Sequence, residues 1–187
     1  MIIQISELVG PRTVLAGAIP GSNLLAKVIP KLKRGSEPEA LFLDLRGIDV
    51  ITSSYLQQGI LGIRDHCRKH ISNLYPVIAN ASEDVIEEME QLLEKIGDAV
   101  ISCRLDSKGK VSGARVLGIL EEKQEITLDA VRSLKVADAR TLLEQNKDKE
   151  TIVITGWNNR LSALTAKGLL MEIKKGRSKY YQPVLEM

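Results

Sequence analysis

Three stretches of this 187-residue chain gather residue types that can do chemistry. The first is HCRKH, in which His66 and His70 stand four apart and so share a helix face, a spacing at which two imidazoles can grip a metal. A zinc site needs more, and the sequence places no third Cys, His or carboxylate beside them. Cys67 falls instead on the apolar stripe of the same segment, so no metal is expected and the pair reads as a solvated helix end. The second stretch is Ile51-Thr52-Ser53-Ser54, which opens a helix pattern after an apolar strand and a short loop. Hydroxyls at a helix start cap free N–H groups. A phosphate there would set about −2 of charge on the positive end of the helix dipole. The third is WNNRLSALTAKG followed by a turn with four cations, a helix of small polar residues next to a basic hairpin.

Other chemistries lack their residues. There is no GxxxxGK[ST] or GxGxxG phosphate loop and no GxSxG elbow. Asp44 and Asp49 follow a strand without an evident Lys, His or metal partner, and the acidic run from Glu83 to Glu94 reads as a solvated helix face or a partner surface. The expectation is a protein that is not an enzyme and carries no cofactor. Aromatics make up 3% of the chain, too few for a ring-walled carbohydrate cleft or a multi-base stacking platform. No apolar run approaches the roughly 20 residues that span a bilayer, so no membrane role is expected. MIIQISELVG lacks the basic and apolar regions of a secretory signal, and Cys67 and Cys103 make no disulfide framework, which together read as a cytoplasmic protein.

The formal charge of +2 is unevenly spread. Residues 1–119 hold 14 basic and 14 acidic side chains, residues 120–154 hold 6 and 8, and residues 155–187 hold 6 and 2, a net of +4 for the last stretch. Three of the six aromatics, Trp157, Tyr180 and Tyr181, sit there too. A clustered basic tip points to a polyanion better than a total does.

The elements that must position these residues alternate through the first part. Residues 1–9 read as a half-buried strand and 22–33 as a helix that Pro30 ends early. Leu41–Leu45 is an apolar strand covered on both faces, and 53–70 is a helix with Leu56, Ile60, Ile63 and Cys67 on its buried stripe. A strand at 75–79 comes after it. Next is a helix capped by Ser82, striped by Val85, Met89, Leu92 and Ile96 and closed by Gly97. A strand at 98–105 can return as a hairpin through Val111–Leu117. From about residue 120 the pattern changes to short helices at 127–134 and 136–145, a stronger helix from Thr155 or Gly156 to Gly168, and a strand, basic turn and strand.

On a helical wheel Trp157, Leu161 and Leu164 share the face that should be buried, and Asn159, Ser162, Ala163 and Ala166 lie opposite. Asn158, Arg160 and Lys167 lie on the flanks. Asn can pair with adenine edges, Ser with any base and Ala with a thymine methyl. Lys174, Lys175, Arg177 and Lys179 on the turn would meet phosphate, as would the helix start at Thr155.

The order of two short helices, a third helix and a basic-tipped hairpin, carried by WNNRLSALTAKGLLMEIKKGRSKYYQP, resembles a bacterial winged helix-turn-helix. The resemblance implies double-stranded DNA as partner, contacted by Thr155, Asn158, Asn159, Arg160, Ser162, Ala163, Lys167, Lys174, Lys175, Arg177 and Lys179. The same fold also serves as a protein-interaction scaffold.

Residues 1–117, centred on LFLDLRGIDVITSSYLQQGILGI, resemble a STAS domain of the anti-sigma-factor-antagonist kind. That family reads Asp-Ser-Ser/Thr-Gly-Leu where this chain has Thr52-Ser53-Ser54-Tyr55-Leu56, with Thr52 in place of the Asp and Tyr55 in place of the Gly. The resemblance implies a partner loop at Thr52, Ser53 and Ser54, with Ser54 at the position that a histidine-kinase-like ATPase phosphorylates. Together the two resemblances imply an α/β module over 1–119 (a STAS-like mixed sheet with helices) followed by a small α+β winged helix over 120–187. The function they imply is a DNA-binding transcriptional regulator, homodimeric because two half-sites give the specificity one small module lacks. The alternative is a partner-switching adaptor that binds no DNA.

Overall fold

The computed structural model describes residues 1–147, 152–176 and 178–187. Its centre is a five-stranded sheet of β1 (Ile2–Gln4), β3 (Glu39–Asp44), β5 (Leu74–Ala79), β6 (Ala99–Leu105) and β7 (Val111–Gly118), in that spatial order. The first four run parallel and β7 returns antiparallel at the edge, so the fold is mixed α/β as expected. A two-stranded pair of β2 (Val14–Leu15) and β4 (Val50–Ile51) lies apart from it.

The first strand is shorter than its alternation predicts. β1 can pair only along β3, and their register runs out at Gln4 opposite Asp44. Beyond that point the chain satisfies its backbone locally as α1 (Ile5–Val9), which keeps Ile5 buried. Helix α2 (Ala18–Val28) begins four residues ahead of the expected start, with Pro20 in its first turn, where a missing N–H costs nothing. Pro30 sits in the 3₁₀ turn Ile29–Lys31 that ends it.

The helix expected over 53–70 is continuous but not uniform: α3 (Ser53–Tyr55) passes through a π-helical stretch, Leu56–Leu61, into α4 (Gly62–His70). Two glycines explain how it packs. A Cβ on Gly21 of α2 would stand 2.9 Å from the Tyr55 carbonyl oxygen and 3.1 Å from the Gly59 nitrogen, so the two helices meet backbone to backbone. Helix α5 (Glu83–Ile96) has the expected span and caps, but Leu93 joins Val85, Met89 and Leu92 on its buried side while Ile96, in the last turn, is exposed. The Ser82 hydroxyl accepts from the Val85 N–H, and Gly97 closes the helix at φ 67°.

Helices α2 to α5 cover one face of the sheet, where Leu24, Leu56, Ile60, Ile63 and Met89 pack on Leu41, Leu43, Ile78 and Val100. The other face presents the alternate residues Tyr75, Val77, Ala79, Ala99, Ile101, Cys103 and Leu105. It is covered by α6 (Glu122–Leu134), α7 (Ala139–Gln145), α8 (Ile154–Lys167) and the hairpin β8 (Leu170–Lys175)–β9 (Ser178–Pro183), through Leu128, Val131, Leu142, Trp157, Leu161 and Leu164. The expected change of pattern near residue 120 therefore falls on the link from β7 to α6, and the elements beyond that link pack directly on the sheet. Within this layer Ala137 and Tyr181 exchange both backbone hydrogen bonds, at 2.9 and 2.8 Å, tying the α6–α7 connection to β9.

Polar ties also cross the seam. Arg68 of α4 donates to the Thr165 carbonyl at 3.1 Å while its guanidinium stacks 4.0 Å above the Tyr75 ring. The Tyr75 hydroxyl in turn accepts from the Glu172 N–H at 2.8 Å. No helix among the described residues is long and apolar enough to cross a membrane.

Candidate nucleic-acid interface and partner loop

Helix α8 divides as its wheel predicts. Trp157, Leu161 and Leu164 are fully buried, and Gly168 ends the helix at φ 82°. Thr155, Asn158, Asn159, Ser162 and Ala166 are exposed, and Ala163 is half-buried. Arg160, also half-buried, lies with its guanidinium 5.0 Å from the Trp157 ring centre. The outward face thus carries amides and hydroxyls on a helix with little side-chain bulk. Ser162 is not wholly free, because its hydroxyl hydrogen-bonds that of Tyr181 on β9.

The cations fare differently from one another. Lys174 and Lys175 are exposed, with Lys175 Nζ 5.5 Å from the centre of the Tyr180 ring. Lys179 pairs across the hairpin with Glu172 at 3.0 Å, and that hydrogen bond holds its ammonium above its ordinary pKa despite partial burial. Arg177 lies outside the described residues.

Lys167 turns toward the sheet. It donates to the Gly97 carbonyl at 3.1 Å and pairs with Asp98 at 3.0 Å. Asp98 also holds Arg64 of α4 at 2.6 Å, and the Arg64 side chain is only 9% exposed. Burial pushes the Asp98 carboxyl up. The Arg64 charge and hydrogen bonds from Arg64, the Ala99 N–H and Lys167 outweigh it and hold the group below its ordinary value. The wheel places Lys167 on a flank. What it cannot supply is the neighbour on that flank, a carboxylate some seventy residues earlier in the chain.

At the other candidate site, Thr52 stands at the N-cap position of α3 in extended backbone, but its hydroxyl accepts no backbone N–H of the helix. It accepts from the Gly17 N–H at 3.2 Å and lies 3.3 Å from the Ser54 hydroxyl. Ser53 and Ser54 are exposed, and the Ser53 hydroxyl donates to the Glu88 carboxylate on α5. The loop therefore abuts the acidic helix face, a juxtaposition that a linear motif does not contain.

The remaining chemical groups are absorbed by the fold. Asp44 is buried and accepts from the Arg46 N–H and the Asn80 side-chain amide, both at 3.0 Å. Asn80 adopts φ 57°, and its side-chain oxygen takes the Leu105 N–H at 2.9 Å, so this pair ties the C-terminal ends of β3, β5 and β6 together. An Asn just after a strand is the one signal in the sequence that could have found it. His66 and His70 have ring centres 4.8 Å apart, and burial together with the neighbouring imidazole lowers the His66 pKa. Among the described residues no three His, Cys, Asp or Glu side chains are grouped to hold a metal. Cys67 and Cys103 are buried, and burial pushes both thiols up to about 11.

Comparison with protein-family models, with curated proteins and with solved structures found no significant match to this chain.

Proposed function

We propose that the chain is a DNA-binding transcriptional regulator of the cytoplasm. In this reading α6–α8 and the β8–β9 hairpin act as a winged helix-turn-helix, and the sheet with α1–α5 is a STAS-like sensory or dimerising body. The observation that carries the reading is the outward face of α8: Thr155, Asn158 and Asn159 are exposed on a helix whose other face is anchored by Trp157, Leu161 and Leu164, with Lys174 and Lys175 exposed on the next hairpin. Asn158 and Asn159 read base edges, Thr155 and the start of α8 meet phosphate, and the hairpin lysines fix register on the backbone. With Lys167 and Lys179 drawn into ion pairs, few cations remain for phosphate, so one copy binds weakly and a homodimer supplies the affinity.

The test is fluorescence anisotropy on duplex DNA across salt concentrations. Changing Lys174 and Lys175 to Ala is expected to flatten the slope of log K against log salt by about 2 per bound protomer, while Lys167→Ala leaves it nearly unchanged. Absence of binding at about 50 mM salt overturns the proposal.

A second reading, a partner-switching adaptor docked by an ATPase or kinase at residues 52–54, draws on the exposure of Ser53 and Ser54 at the helix start. A phosphate on Ser53 would break its bond to Glu88 and set like charges together, freeing the loop from α5. Mass spectrometry after co-expression with neighbouring genes tests it. An unmodified peptide with no co-purifying partner tells against it.

A further inference from the structure

The segment between α1 and α2 closes over a cleft that the proposed function does not use. Its volume is about 220 Å³, and it runs along one side of α2 past Asn23 and Lys27, with Tyr55 of α3 also in its wall. Two cations, Arg12 and Lys27, line it together with apolar residues such as Leu15 and Leu24, and among the described residues no carboxylate does. Lys27 gives one of its three N–H groups to the Leu8 carbonyl at 2.8 Å and keeps the others.

Tyr55 is the least expected member. The residue is 98% buried with its ring against Gly59, but its hydroxyl is not among the fully enclosed polar atoms and stays open to solvent at the cleft wall. A phenol open to the cleft can exchange its water for a ligand oxygen and donate to it. The Arg12 charge reaches the same phenol, partly offsetting the upward push of burial on its pKa.

We infer that this cleft binds a small organic carboxylate. Arg12 takes the carboxylate in its fork, Lys27 adds charge, Tyr55 and Asn23 donate hydrogen bonds, and Leu15 and Leu24 receive a short aliphatic body. The volume lies below the roughly 300–1,000 Å³ of drug-sized pockets, which limits the ligand to about ten heavy atoms or fewer. The site also touches the partner loop. Tyr55 directly follows Ser54, and Gly17, at the N-cap position of α2, donates to Thr52. Occupancy is therefore felt at the start of the helix that carries Ser53 and Ser54. The inference holds whether or not the chain binds DNA.

The test is an NMR titration of the full chain at pH 7 with butyrate, with hexanoate and with inorganic phosphate. The expected result is saturable shifts with the carboxylates at the amides around Arg12, Asn23, Lys27 and Thr52–Tyr55. Affinity should fall about tenfold or more in Arg12→Gln and several-fold in Tyr55→Phe. Arg12 is exposed, and Phe keeps the ring against Gly59, so both variants should fold, which circular dichroism checks. The inference is overturned by the absence of saturable shifts with either carboxylate, by shifts that map elsewhere or by affinity unchanged in Arg12→Gln. Phosphate binding as tightly as hexanoate also overturns it, because the apolar wall would then play no part.

Discussion

Replacing Asp98 by Asn should loosen the seam between the sheet and α8, and the cost can be worked from the geometry. The carboxylate takes two charge-assisted contacts, Arg64 at 2.6 Å and Lys167 at 3.0 Å, and its own side chain is 17% exposed. A hydrogen bond to a charged group contributes about 1.5–3 kcal/mol, and breaking a buried pair costs about 3–5 kcal/mol because a charge is left behind. Arg64 would retain Asp65 at 2.8 Å, but that partner is half exposed and belongs to the same helix, so the cost lies near the low end, about 3 kcal/mol. For a slope of about 2–3 kcal/mol per molar urea, the unfolding midpoint should drop by roughly 1 M.

The loss should depend on pH in a defined direction. The folded carboxyl is held below its ordinary 3.8, so its contribution is complete above that value and disappears as pH falls through the lower folded one. Wild type and Asp98→Asn should therefore differ by about 3 kcal/mol at pH 7 and converge in strong acid. A double-mutant cycle with Lys167→Met should show coupling of about 1 kcal/mol or more, since the two side chains are 18% and 17% exposed. A change below about 0.5 kcal/mol at pH 7, or a difference that grows in acid, would show that Asp98 does not hold the seam through its charge.

Three further outcomes rest on single contacts. Gly118→Ala should destabilise by more than about 2 kcal/mol in urea unfolding, because φ is 85° and the new Cβ would stand 2.3 Å from the Asp98 carbonyl oxygen and 2.7 Å from Leu93 Cβ. Tyr75→Phe should cost about 1–2 kcal/mol by leaving the Glu172 N–H without its acceptor at 2.8 Å, and faster amide exchange at Glu172 would mark the cause. Cys67 and Cys103, buried with thiols pushed up to about 11, should resist a thiol reagent at pH 8 and react only on unfolding. Stoichiometric labelling of the native protein within minutes would contradict the burial.

The sequence alone determined most elements, because each rests on a local period or a local cap. The stripe of Val85, Met89 and Leu92 with Ser82 before it and Gly97 after it can only be α5, and the split of α8 into a Trp157–Leu161–Leu164 face and a small polar face is a property of 3.6-residue repetition. Leu41–Leu45 likewise demanded cover on both faces, but periodicity could not say what the cover was. The tertiary structure decided that: residues after 120 lie on the sheet's second face, with Tyr75 and Ala99 meeting Trp157 and Leu161 in one core. It also decided which candidate groups are at liberty. Lys167 is bound because Asp98, 69 positions away in the chain, stands beside it, and Thr52 takes the Gly17 N–H rather than a backbone N–H of its own helix. The Arg12–Asn23–Lys27–Tyr55 cleft has no motif, because its members come from three elements and meet only when two glycines let α2 and the 53–70 helix touch. Period and capping are written in neighbours along the chain, whereas pairing of charges and enclosure of space are set by neighbours across it.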